Sequence, residues 1–325
     1  MLEADEAATA VAMRRSGVDM PLILDPARYL RPASSHREQQ PSLWSADPLR
    51  AIVEGQAQHR VAAYLSPAGF IRAGDGPGLR TVLDEGVRFG EMAKQHSHRA
   101  PVLTTLPISS GWLSRPDCRE LLIKAVVEAG NGVALFPGGS GDPLGGPKAV
   151  AGLVEVLHAV PHDVSVLRTD LAGIGAMAFG AVATSIGLSA SSRHTVPSGG
   201  RGFVQPDRSP RVLVDRLLSW PRGSQVAQIT RDDGLFTCEC PVCHGRSLRR
   251  FIREDAQAVR EAAAHSVLTW RAITDRVMVE PPDRRRSAWL QACVNAIDEH
   301  AALRARSRIG LKIPDYLNSW TALLA

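Results

Sequence analysis

Between residue 20 and about residue 190 the chain repeats one pattern: a short apolar run, a loop rich in Pro, Gly or Ser, then a stretch of helical periodicity. The apolar runs are PLILD (21–25), VAAYLSP (61–67), APVLTTLP (100–107), GVALFPGG (132–139), VSVLRTD (164–170) and ATSIGLSAS (183–191). Helical spacing marks LRTVLDEGVRFGEMAKQ (79–95), RELLIKAVVEAG (119–130) and KAVAGLVEVLHAV (148–160) between them. Unbroken apolar strands that alternate with helices belong to a parallel sheet covered on both faces, because each crossover lays a helix on the sheet. The fold class is therefore α/β. Six such runs in succession predict a (β/α)8 TIM-type barrel, with a doubly wound open sheet as the alternative. Two strands are then missing: either the barrel's opening strands precede this sequence, or a later run such as RVLVDRLL (211–218) supplies one.

Beyond residue 195 the text turns loop-rich and basic before a second helical region, RRRSAWLQACVNAIDEHAALRARSR (284–308). The predicted division is a barrel over 1–227, a zinc-binding subdomain over 228–277 and a helical segment over 278–325 that packs on the barrel.

Composition narrows the function classes. With 325 residues, 44% hydrophobic and 22% charged, the chain has the make-up of a globular protein able to bury a substantial core. Thirty-eight Lys and Arg against 33 Asp and Glu give a net charge of +5, compatible with a polyanionic partner but without a basic tail. The first residues lack the basic start and apolar run of a signal peptide, and no stretch approaches the roughly 18 unbroken apolar residues of a membrane span. These features predict a cytoplasmic, reducing environment with no membrane partner, where clustered cysteines are metal ligands before they are disulfides.

In a barrel, chemistry sits on the loops after the strands, which singles out Asp25, Ser66, Gly138, Gly139, Asp170 and residues 191–194. Asp170 is equally an N-cap for LAGIGAMAF, and the glycine pair is equally a tight turn or an opening for a flat heterocycle. Arg193, His194 and Arg201 are candidates for phosphate contacts, with solvated surface as their ordinary alternative. Asp142 reads as a loop residue.

Three of the five cysteines fall within six positions, Cys238, Cys240 and Cys243 in CECPVC, and His265 follows 22 residues later in a helical pattern. Zinc takes four donors at tetrahedral corners, and a thiolate loop with one imidazole from a distant helix supplies them. Four protein ligands leave no open position, so such a zinc is structural. His244 competes for the fourth corner but adjoins Cys243, which makes one tetrahedron awkward. The residues Val259, Ala263, Val267 and Trp270 make the second face of the His265 helix apolar too, predicting a helix clamped on both sides. Cys118 and Cys293 read as ordinary buried thiols.

CECPVC followed by a helix and HSVLTW resembles the zinc subdomain of the tRNA-guanine transglycosylases, where C-x-C-x-x-C and a histidine hold one zinc. The resemblance extends weakly upstream: PLILDPARYL to an aspartate-bearing strand end, VAAYLSPAGF to a second, GVALFPGGSGDPLG to a glycine-rich loop, and SSRHTVPSGGRGF to a basic stretch. It implies a TIM barrel with a zinc subdomain near its C-terminal end. It further implies exchange of guanine for a 7-deazaguanine-type base in tRNA or DNA. One aspartate attacks the anomeric carbon of a flipped-out nucleotide while a second handles protons. Pseudo-enzyme subunits of this family further imply a second subunit, of the same or another chain.

Asp25 stands in for one of these aspartates. The strand ATSIGLSAS has Thr184, Ser185 and Ser189 where the resemblance puts the nucleophile, and Ser66 with Pro67 replaces the base-reading aspartate. Asp170, one strand earlier, is the carboxylate that can complete a pair with Asp25. Three readings follow: a divergent base-exchange enzyme using Asp25 and Asp170, with Ser66, Gly138, Gly139, Arg193 and His194 around the substrate; a non-catalytic zinc-containing relative that binds nucleic acid or a catalytic partner; and a barrel enzyme of unrelated chemistry.

Overall fold

The computed structural model of the chain describes residues 11–17, 21–30, 47–96, 99–139, 141–195, 207–229, 234–307 and 310–324. Arg201 lies outside these residues. Five strands form one sheet: β1 (Tyr64–Leu65), β2 (Val102–Ser109), β3 (Val133–Gly138), β4 (Val164–Thr169) and β5 (Ala183–Ile186). They lie side by side in chain order and every pair is parallel. A doubly wound sheet reverses direction at a switch point, whereas this one winds a single way and curls into a half-barrel. Among the described residues no pairing joins β5 back to β1.

Helices fill the crossovers: α1 (Pro48–Gln58), α2 (Gly76–Lys94), the short α3 (Gly111–Ser114), α4 (Pro116–Ala129), α5 (Pro147–Ala159), α6 (Ala172–Ala178) and the single turn α7 (Ala190–Arg193). Their starts are written locally. Pro48, Pro77, Pro116 and Pro147 occupy first turns, where the missing N–H costs nothing, and Asp47 and Asp75 cap α1 and α2. Gly130 ends α4 at φ 70°.

Side chains of the sheet alternate between two cores. Leu106, Ile108, Val133, Leu135, Val164 and Val166 face the helices, while Leu65, Leu103, Ala134, Phe136 and Leu167 meet Ala27 and Tyr29 on the other face. After α8 (Gly223–Gln228) come two long helices, α9 (Ala256–Met278) and α10 (Pro282–Arg306), and then α11 (Asp315–Thr321). Trp289 of α10 and Trp320 of α11 pack over α6 at Gly175, where a Cβ would overlap both rings. The C-terminal segment thus packs on the half-barrel through its main core.

A smaller core surrounds the cysteines and takes Val212, Val214 and Val226 from before residue 228 and Leu303 and Leu311 from after residue 277. It therefore crosses both predicted boundaries. Two predicted strands form differently. PLILD forms neither helix nor ladder strand, and among the described residues it holds one backbone bond, in which Ala62 N–H reaches Leu22 O at 2.7 Å. RVLVDRLL makes only the isolated bridges Arg211↔Arg222 and Val214↔Ser219 and then a 3-10 turn, so it adds no strand to the half-barrel. No helix among the described residues is long and apolar enough to cross a membrane.

Candidate functional site

Cys238, Cys240 and Cys243 sit on a tight loop, and α9 brings His265 to it. The N–H groups of Cys243 and His244 both reach Cys240 O, at 2.9 and 3.0 Å, and Gly245 N–H reaches Cys238 O at 3.0 Å. His244 takes φ 49° in this turn and is exposed, and the fourth donor beside the three sulfurs is His265. The α9 helix starts at Asp255, whose carboxylate accepts from Ala258 N–H. It buries one stripe, including Ala258, Ala262, His265, Thr269 and Ile273. Val259 is exposed and Ala263, Val267 and Trp270 are half-buried, Trp270 against the main core, so the second face of α9 is covered in part and not clamped along its length.

The Nδ1 of His265 stands 3.6 Å from Cys240 Sγ and 3.4 Å from Cys243 Sγ. An ion bound tetrahedrally at about 2.3 Å to sulfur and about 2.0 Å to nitrogen sets N···S edges of about 3.5 Å. The spacing is therefore that of ligands around a shared ion. His265 Nε2–H donates to Leu213 O at 2.8 Å, which leaves the Nδ1 lone pair facing the sulfurs. Burial pushes the Cys243 thiol up to about 12, with Cys240 and Cys238 adding to the shift, and Arg250 opposes it from 3.3 Å. A cation is what would release that proton. The four residues lie close together and can hold a metal ion.

A second cluster sits at the strand ends. Asp142 lies in the loop after β3, Asp170 directly follows β4, and His194 follows α7 beyond β5. One donor atom of each lies within 4.8 Å of the others. Each carboxylate is oriented by the N–H two residues ahead: Leu144 to Asp142 Oδ1 at 2.9 Å, and Ala172 to Asp170 Oδ1 at 2.8 Å. Gly138 positions His194. Thr195 bridges to Gly138, accepts from Gly139 N–H at 3.1 Å and donates to Pro137 O at 3.3 Å, and a Cβ on Gly138 would overlap the Thr195 carbonyl. The flat group that approaches this glycine is the chain's own backbone.

Burial and the neighbouring Asp170 push the Asp142 carboxyl up to about 7. Burial also raises Asp170, against the pull of Ala172 N–H and Arg193, and lowers His194, against the pull of Asp142. The Nδ1 of His194 is buried and has no hydrogen-bond partner among the described residues. Beside Asp170 opens a cavity of about 620 Å³ whose wall includes Arg211, Arg222, Lys312, Trp220 and Tyr316.

Asp25, expected to act with Asp170, has partners of its own. Ala27 N–H donates to its Oδ1 at 2.9 Å, and Tyr29 O–H and Arg168 Nη1 reach its Oδ2, the latter at 3.5 Å. Burial raises its carboxyl above the ordinary range against the pull of Tyr29, Ala27 and Arg168. Asp170 instead faces Asp142, His194 and Arg193.

Two expected substrate contacts are internal. Ser66 is buried, and its Oγ accepts from Thr105 N–H at 3.0 Å, stitching β1 to β2. Arg193 is buried, its guanidinium 3.7 Å from the Trp220 ring centre and bonded to the carbonyls of Gly187 and Leu188, so it is not open to a phosphate; burial lowers it to about 10. Thr184 and Ser185 also bond within the sheet. Sequence reasoning passed over Asp142. Its signal was its position in a loop directly after a glycine-rich strand end, the position at which barrels carry chemistry.

No protein-family model matches this chain, and no curated protein is similar to it in sequence.

Proposed function

We propose that this chain is a zinc-stapled half-barrel of transglycosylase type that binds tRNA or DNA and does not by itself perform the two-aspartate base exchange. The observation that carries the reading is the separation of partners. Exchange through a covalent intermediate needs two carboxyl groups serving one anomeric carbon, one as nucleophile and one for protons. Asp25 is engaged by Tyr29 and Arg168, while Asp170 belongs with Asp142 and His194. Binding is supported by the net charge of +5 and by the Cys3His donors, whose spacing suits a tetrahedral zinc in the order the resemblance implies. The zinc ties the cysteine loop to α9 and leaves no coordination position for substrate. In the same reading, the apolar segment 21–25, bonded to Ala62 before β1, stands for a sixth strand, and a second subunit supplies the catalytic carboxylates.

Base exchange by the chain alone, guanine for a 7-deazaguanine-type base through Asp25 and Asp170, is the second reading. It is favoured by Asp25 ending an apolar segment that bonds to the residues before β1. One experiment separates the two: purified chain with tRNA and with duplex DNA, assayed for binding and for incorporation of labelled guanine. Salt-dependent binding without incorporation is the expected result. Incorporation that disappears in Asp25→Asn and in Asp170→Asn would establish the second reading, and absence of binding to either polymer at low salt would overturn the first.

A further inference from the structure

We infer that Asp142, Asp170 and His194 form a second metal centre, separate from the cysteine cluster, that takes a hard to borderline divalent cation such as Mn2+. This goes beyond the proposed function and holds whether or not the chain binds nucleic acid.

Size is the first argument. For three atoms no more than 4.8 Å apart, a point exists within about 2.8 Å of all of them. Divalent cations take oxygen and nitrogen at roughly 2.0–2.6 Å, so closure by a few tenths of an ångström completes the site.

Orientation is the second. In each aspartate a backbone N–H fixes Oδ1 and so aims the carboxylate. Beside them His194 adds a buried Nδ1 that has no hydrogen-bond partner among the described residues. Buried polar atoms ordinarily find partners, and this one, converging with two oriented carboxylates from the segments after β3, β4 and β5, points to a missing ligand common to the three.

Charge is the third. Asp170 is only 9% exposed, and an oxygen of Asp142 lies within 4.8 Å of one of its own, so the two gather negative charge that a cation between them would offset. Arg193, the guanidinium that acts on Asp170, gives its hydrogen bonds to the carbonyls of Gly187 and Leu188 and its face to Trp220. It therefore moderates the charge without neutralising it.

Three protein donors leave coordination positions open. Asp170 lines the neighbouring cavity together with Asp207, Arg211, Arg222 and Lys312, so the open positions face a polar space with room for water or an oxygen ligand. The cysteine cluster does not compete for the probe, because thiolates select softer ions than Mn2+.

The test is a titration of the full chain, structural metal retained, with Mn2+ followed by electron paramagnetic resonance of the free ion. Saturation at one Mn2+ per chain is expected, with affinity at least tenfold weaker in Asp142→Asn and in His194→Ala while zinc content and circular dichroism stay unchanged. Because Asp170 also caps α6, Asp170→Asn is informative only if folded, and the other two variants decide without it. Nitrogen hyperfine coupling to bound Mn2+ that vanishes in His194→Ala would assign the imidazole. No saturable binding, or equal binding in the wild type and both variants, would overturn the inference.

Discussion

Arg168 Nη1 stands 3.5 Å from Asp25 Oδ2, joining residues 143 positions apart, and the same guanidinium lies 5.5 Å from the Tyr29 ring centre. Arg168 occupies the irregularity in the pairing of β4 with β5 and takes φ 54°, a conformation unusual for a residue with a Cβ. Ser185 Oγ accepts its N–H at 2.8 Å and helps hold it there. The strained residue thus ties the N-terminal segment to the inner face of the half-barrel, where Tyr29 meets Phe136 edge-on.

Arg168→Met should destabilise the chain by about 1–3 kcal/mol, because it leaves the part-buried Asp25 carboxylate without its cation. The two side chains are 19% and 20% exposed, too buried for the small value of a surface pair. Urea denaturation measures the loss, and Asp25→Asn in the same background should recover part of it. Equal losses in the single and double variants would mean that the contact is not an ion pair.

The burial of Asp25 should show in the pH dependence of stability. Burial raises its folded-state value above the ordinary 3.8, so the folded chain holds this proton more tightly than the unfolded chain. The associated stability is fully present below about pH 3.8 and is lost as pH rises through the raised folded value. Relative to wild type, Asp25→Asn should therefore become progressively more stable across that window. A stability difference between the two that does not change with pH would refute the assignment.

Removing the metal from the cysteine cluster should loosen the smaller core and spare the sheet. Hydrogen exchange after chelation is expected to rise in residues 235–251 and the first half of α9, while β2, β3 and β4 stay protected, because their core does not include the cysteine loop. His265→Ala should reproduce the pattern without chelator, and His244→Ala should not. Uniform loss of protection would show that the metal holds the whole fold.

Gly138→Ala should cost about 1–3 kcal/mol, since the new methyl overlaps the Thr195 carbonyl and the strand end cannot yield freely. As Thr195 adjoins His194, the same variant should weaken Mn2+ binding although it removes no ligand. An alanine variant with unchanged stability and unchanged Mn2+ affinity would mean that the Thr195 bridge does not position the histidine.

Much of the architecture was legible locally. Helix starts at Pro77, Pro116 and Pro147, the stop at Gly130 and the apolar strand cores are short-range effects, so the helices over 76–94, 116–129 and 147–159 lie within a few residues of their predicted spans. The Cys238, Cys240, Cys243 and His265 set was legible for the same reason, as a knuckle and a helix position define it. PLILD and RVLVDRLL have strand composition, but a strand also needs a neighbour with free backbone groups, and composition does not supply one.

What the sequence by itself determined, then, is the alternation of strand and helix, the parallel sheet that this alternation requires, and the donors of the cysteine cluster. Only the tertiary structure decided which carboxylates meet. Asp170 and Asp25 both follow apolar runs, yet Arg168 and Tyr29 take Asp25, while the return of Thr195 across Gly138 carries His194 to Asp142 and Asp170. Such contacts depend on a bulge in β4 and on the backbone crossing at β3. Neither has a signature in residue spacing, because both arise from how separate segments share one face of the sheet.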